Sequence, residues 1–223
     1  MEARVKKLSQ YFRSGILAIV AIPTGDPSLW KELRFNSIPA NKVTYDQSFL
    51  QIEVNQSASP LIYRFERIKN VDEVSLQLEI SGQMNQDQFK KWKDFEEDSY
   101  LRVGLIATGS KRPSRLKLFF APDWVKTLFS LAPEGVGLDQ IHFFNVAVQS
   151  HLIGKRRNHA KSEYISEEIL IARENRQERI SVQIRPTSPM KITGFWLSAD
   201  GDDSRSNFSL KIKNFQFNEN IEE

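Results

Sequence analysis

The densest cluster of chemistry-bearing side chains is Ser198-Ala199-Asp200-Gly201-Asp202-Asp203-Ser204. Carboxylates packed this closely repel one another unless a cation or hydrogen-bond donors compensate. Calcium is a hard cation that takes several oxygen ligands from short loops. Asp200, Asp202 and Asp203 are therefore candidate ligands of a structural calcium ion. The spacing is not that of an EF-hand, because the distal Glu is missing. The same residues also read as a hairpin turn, since Asp-Gly favours tight turns and Asp tolerates their backbone angles. The two readings are compatible.

A second cluster is basic. Lys155-Arg156-Arg157, with His151 and His159, has the donors to hold a phosphate or sulfate group. Glu163, Glu167 and Glu168 follow closely and balance it, so a solvated loop is the simpler expectation. A metal on His151 and His159 would need carboxylates from elsewhere in the chain. Asp94, Glu96, Glu97 and Asp98 could supply the paired carboxylates of a glycoside hydrolase. Lys90, Lys91 and Lys93 precede them, which instead suggests a solvated face. No G-x-S-x-G elbow and no phosphate-binding G-x-x-x-x-G-K-[ST] occurs.

Composition narrows the chemistry further. The 223 residues include no cysteine and three histidines. Disulfides, thiolate nucleophiles, iron–sulfur clusters and cysteine zinc sites are excluded together. The net charge of +3 is too small to imply a nucleic-acid partner, and none is expected. The four tryptophans are more informative. Trp196 lies in an apolar run and reads as core. Trp92, between Lys91 and Lys93, and Trp124, beside Asp123, read as near-surface rings able to stack on a ligand. Arg102 and Asn145 are the candidates to hydrogen-bond such a ligand.

The elements that must position these residues are mostly strands. Apolar and polar residues alternate over Leu50–Val54, Val74–Ile80, Leu101–Leu105 and Ile180–Ile184, the period of a strand with one buried face. Ile141–Val148 and Ile192–Ala199 are apolar on both parities, as in strands covered on both sides. In the last segment Phe208, Leu210 and Ile212 share one parity and Phe215 and Phe217 the other. A β-bulge near Asn214 would keep both halves facing the core. The clearest helical pattern is Asp123–Leu131. Many short strands predict a mainly β fold, an antiparallel β-sandwich with one short helix, occupying residues 26–223.

Residues 1–25 are set apart. Arg4, Lys6, Lys7 and Arg13 precede the apolar run Gly15–Ile22. That shape fits a secretory signal or membrane anchor, and equally an amphipathic helix packed on the domain. Any membrane contact is expected through this segment alone.

Three segments carry a family resemblance. They are Leu50–Val54 with Ser57-Ala58-Ser59-Pro60-Leu61, Asp98-Ser99-Tyr100-Leu101-Arg102-Val103, and Ile192 to Ser204 leading into the last strand. Together they resemble a family of bacterial envelope proteins of unknown function. More remotely they are similar to galactose-binding-like jelly rolls, a fold shared by many carbohydrate-binding modules. The resemblance implies a jelly-roll sandwich, a periplasmic or secreted setting and a leaning toward binding. The expected function is a non-catalytic module of the cell envelope that recognises a saccharide or a protein partner. The alternatives are a polysaccharide-acting hydrolase with paired carboxylates and a structural or assembly subunit.

Overall fold

The computed structural model describes residues 16–85, 87, 98–112, 119, 121, 123–131, 135–159, 162, 164–173 and 178–221. In chain order its strands are β1 (Ile16–Ala21), β2 (Trp30–Glu32), β3 (Lys42–Asp46), β4 (Phe49–Asn55), β5 (Ala58–Gln83) and β6 (Ser99–Gly109). Helix α1 (Asp123–Leu131) follows, then β7 (Gly137–Ala147), β8 (Arg156–Asn158), β9 (Ile165–Ala172), β10 (Arg179–Ile184), β11 (Met190–Asp200) and β12 (Asn207–Ile221). Every segment with strand periodicity is a strand, and the helix falls where its pattern predicts.

The strands form a sandwich, mainly antiparallel, in which β5 belongs to both layers. Over Ala58–Arg64 it pairs with β11, and Leu61–Tyr63 also pairs with β2. From Val71 to Gln83 it pairs with β12, and over Val74–Glu79 with β10 as well. The front layer runs β2-β5-β11-β6-β7-β9-β8, and the back layer runs β3-β4-β12-β5-β10, with β1 beside β12. Alternate residues of both layers meet in the main core. Leu50, Ile52 and Leu78 come from the back, and Leu101, Val103 and Leu197 from the front. Phe195 lies at its centre, with the rings of Phe65, Phe215 and Phe217 at centroid distances of 5.0–5.8 Å.

Strands β7 and β11 are covered on both sides, as their apolar composition requires. Phe144, Val146, Phe195 and Leu197 face the main core. Ile141, Phe143 and Trp196 face a second cluster, closed by Leu128 of α1 together with Leu33.

Three features depart from the sequence reading. The apolar run near the N-terminus is neither a helix nor detached, because Ile16–Ala21 pairs antiparallel with the C-terminal half of β12. Ile22 continues into the main core. A short apolar run suits strand or helix alike, and the open edge of β12 decides it. Second, β7 and β9 pair in parallel. Third, Arg156 and Arg157 form a short edge strand on β9 rather than a loop, although they are balanced by Glu167 and Glu168 as expected. No helix among the described residues is long and apolar enough to cross a membrane.

The phase slip in β12 is a bulge at Asn214, whose φ is +50°. Phe208, Leu210 and Ile212 before it, and Phe215 and Phe217 after it, are all buried in the same core. Asn tolerates the left-handed backbone, whereas a β-branched residue does not. Asn214→Val is expected to lower unfolding stability by about 1–2 kcal/mol and Asn214→Gly to leave it nearly unchanged, read from urea midpoints. Equal midpoints for the Val variant and wild type would show that the bulge is not fixed by the backbone at this residue.

Candidate functional site

The outer face of the front layer carries the site. The register aligns Trp196, Gly104, Phe143 and Glu167 in one row across β11, β6, β7 and β9. The next row is Ser198, Arg102, Asn145 and Ile169. Gly104 is required by its neighbours, since a Cβ there would lie 2.7 Å from both Ile141 Cγ2 and Phe143 Cε1. Its bare backbone lets the Phe143 and Trp196 rings meet edge to face across β6, with centroids 5.8 Å apart. Helix α1 adds Trp124, perpendicular to Trp196 at 6.1 Å.

These rings, with Phe35, line a cavity of about 400 Å³. Arg102, Glu167, Asp200 and Ser198 line the same cavity, joined by Ser162 and His159. The charges are compensated. Arg102 contacts Asp200 through Nη1, and its Nε lies 3.6 Å from Glu167 Oε1, an ion pair beyond hydrogen-bond length. Arg157 Nε donates to Glu167 Oε2 at 2.5 Å. The side chains of Arg102, Glu167 and Asp200 are only 14%, 3% and 9% exposed. Ions buried to this degree need partners, because desolvation alone costs several kcal/mol per ion (an order of magnitude only).

Of the residues singled out in the sequence, Trp124 and Arg102 come together in this cavity. Asn145 lies beside Arg102 but is fully buried, with neither side-chain atom hydrogen-bonded to a described residue. A ligand in the cavity would therefore meet Arg102 before Asn145. Trp92 lies outside the described residues, as do Asp94, Glu96 and Glu97. Asp98 is buried and accepts a hydrogen bond from the Ser204 backbone N–H at 2.7 Å.

The acidic segment is the turn between β11 and β12, held by Ser206 N–H donating to Gly201 O at 2.8 Å. Its three carboxylates do not share one environment. Asp200 contacts Arg102, Asp202 is half-buried and Asp203 is exposed. Among the described residues no three acidic or histidine side chains are grouped so that they could hold a metal ion. Burial first, then the neighbouring charges of Asp98 and Asp203, push the Asp202 carboxyl above its ordinary value.

Sequence reading missed Glu167, Phe143 and Phe35, and it assigned Trp196 to the core alone. Glu167 did carry a signal. It shares the parity of Ile165 and Ile169, which places a charge on an otherwise apolar strand face. That Phe143 and Glu167 are neighbours follows from the parallel β7–β9 register, which no local pattern announces.

No protein-family model matches the chain, and no curated protein matches it. Among solved structures it is similar to a family 11 carbohydrate-binding module from Clostridium thermocellum, in complex with a β-1,3-1,4-mixed-linked tetrasaccharide. That likeness has a TM-score of 0.44 and 8% identity, over 93% of this chain and 98% of the other. TmCBM27, a carbohydrate-binding module with specific mannan recognition, has a TM-score of 0.40 and 10% identity over 93% and 100% of the two chains. The Ca²⁺/Man3GlcNAc-bound VIP36 exoplasmic/lumenal domain has a TM-score of 0.38 and 10% identity over 86% of each chain. All three scores fall below 0.5, so the function rests on the geometry of this chain.

Two outcomes follow from the electrostatics. Arg102→Ala strips Asp200 and Glu167 of a shared buried partner and is expected to cost about 3–5 kcal/mol of unfolding stability in urea. A loss under about 1 kcal/mol, the range of exposed pairs, would show that solvent screens these ions. Asp202 gives a pH signature. Its folded carboxyl holds a proton more tightly than the unfolded one, so stability is full below the ordinary value and falls as pH rises through the raised folded value. Asp202→Asn is therefore expected to melt above wild type at pH 7 in chelator, with the gap closing toward pH 3. A variant that melts below wild type at pH 7 would refute the destabilising charge.

Proposed function

We propose that this chain is a non-catalytic binding module that takes a saccharide into the cavity between Trp124 and Arg102. The reading places it on a single jelly-roll, galactose-binding-like domain working in a periplasmic or secreted setting. One observation carries it: a partly exposed tryptophan braced by a second tryptophan shares the lining of one cavity with the compensated set of Arg102, Glu167 and Asp200. A sugar ring has an apolar C–H face and a rim of hydroxyls. Trp124 offers a flat surface to the face. The guanidinium and the two carboxylates offer donors and acceptors to the hydroxyls, and bonds to charged groups are the stronger kind. A cavity of this size falls in the range of small-ligand sites.

The hydrolase alternative draws its carboxylates from Asp94, Glu96, Glu97 and Asp98, of which only Asp98 is among the described residues; the carboxylates of this cavity are Glu167 and Asp200. Both are engaged by Arg102. That arrangement suits accepting a hydroxyl better than donating a proton to a leaving group.

The test is affinity electrophoresis of the full chain through soluble polysaccharides, with calcium and with chelator. Retardation by at least one polymer is expected, and Trp124→Ala should weaken it about tenfold, or ~1.4 kcal/mol. Trp124→Phe should retain most of it. Unchanged mobility on every gel would overturn the saccharide reading and favour a protein partner. Calcium on Asp200, Asp202 and Asp203 predicts that wild type, and not Asp202→Asn, melts higher when the ion is added.

A further inference from the structure

A second cavity, of about 620 Å³, adjoins the first, and Phe143 and Glu167 line both. The chemistry changes across that shared wall. Beyond it the lining is three arginines, Arg156, Arg157 and Arg185, against two glutamates, Glu167 and Glu168. Hydroxyls of Ser166, Thr187 and Ser188 stand among them. His142 also lines the cavity, with its Nδ1 2.8 Å from Ser166 Oγ. Burial holds its imidazole below the ordinary value, against a smaller opposing pull from Asp139.

Arg156 and Arg157 come from β8 and Arg185 from the segment after β10, and each of Arg156 and Arg185 is held by a glutamate. Arg156 binds Glu168 through Nε at 2.9 Å and Nη2 at 3.1 Å. Arg185, just past the end of β10, donates from Nε to Glu73 at 2.6 Å, and Glu73 is not part of the cavity lining. A guanidinium carries five N–H donors in a fixed fork. Nη1 of Arg156 and both Nη groups of Arg185 thus keep donors that no described residue accepts. These side chains are 65% and 67% exposed, so their existing ion pairs are screened and weak enough to admit another anion.

We infer that the bound saccharide is acidic: a ring stacks in the aromatic cavity while a carboxylate or sulfate on a neighbouring residue enters the arginine cavity. This rests on the saccharide reading above and narrows its substrate class. The shared chemistry is an anion with oxygens spaced for the arginine fork.

The experiment uses dextran, carboxymethyl-dextran and dextran sulfate, which share one backbone, together with galacturonan and its methyl ester. Affinities of the full chain are measured by affinity electrophoresis at low and high salt. The double variant Arg156→Ala/Arg185→Ala is compared with Lys42→Ala/Arg179→Ala, which removes equal charge from exposed, ion-paired sites on the back layer. At least one acidic polymer should bind about tenfold more tightly than its neutral partner. The Arg156→Ala/Arg185→Ala variant should abolish that preference while neutral binding, where present, stays within about twofold; the control should keep it. The preferred acidic polymer then identifies the anion as carboxylate or sulfate. Two results overturn the inference while leaving the saccharide reading intact. One is Trp124-dependent binding with no acidic preference; the other is equal loss in both double variants. Absence of binding to every polymer overturns the inference and that reading together.

Discussion

Three central strands of the front layer must be covered on both faces, and the rest of the structure follows from that constraint. β6, β7 and β11 bury one face against the back layer, through Leu101, Val103, Phe144, Val146 and Leu197. Their other face is too apolar to leave in water, so α1 lies over Ile106, Ile141 and Trp196 through Leu128. Leu152, in the short helical turn after β7, closes over Ala147 and Ile169 at the far end. Between these two covers runs the row Ser198, Arg102 and Asn145. The polar half of the site, Arg102 and Ser198, lies in that row, and its aromatic half belongs to the cluster under α1.

Such a gap is hard to stabilise. It sits on a sheet whose neighbouring rows are dry, so each charge in it must find a partner within the protein. Arg102 meets this demand by serving two carboxylates from two strands, and Arg157 completes the set on Glu167. The rigid arrangement that results is also what a hydroxyl-rich ligand needs, because donors and acceptors stand in place before it arrives. Asn145 is the exception: fully buried beside Arg102, it makes no hydrogen bond to a described residue. A buried amide without partners is costly, and an ordered water is the usual remedy.

Much of the fold was legible in the sequence because a half-buried strand declares itself by parity. The alternation in Leu50–Val54 and Ile180–Ile184, the two-faced runs and the slip at Asn214 each map onto an observed strand or bulge. The N-terminal run was misread because six apolar residues fit several structures, and the free edge of β12 is a tertiary fact. The site was legible only in parts. Arg102 was a hydrogen-bonding candidate on an alternating strand, and Trp124 a ring beside an acid. What joins them to Glu167 and Phe143 is register: a parallel pairing of β7 with β9, and a glycine at 104 that lets two rings touch over it. The environment of the acidic turn was hidden for a related reason. Charge density along the chain suggested shared ligation, but successive residues on a strand and turn point apart, and Asp200 is drawn to the sheet by Arg102.

Glu167 shows how these constraints converge on one side chain. It occupies the wall between an aromatic cavity and an arginine-rich one, and two arginines hold it in place. Were it apolar, Arg102 and Arg157 would lose their common partner, and their charges would be compensated less fully on both sides of the wall. With Glu167 present, Arg102 and Asp200 are matched on the aromatic side. Arg156 and Arg185 are left at the outer end, paired through Nε but with further donors open. The charge pattern along the groove is therefore graded, from neutral and aromatic to donor-rich. A ligand that is apolar on one residue and anionic on the next, as inferred above, would match that gradient in only one orientation.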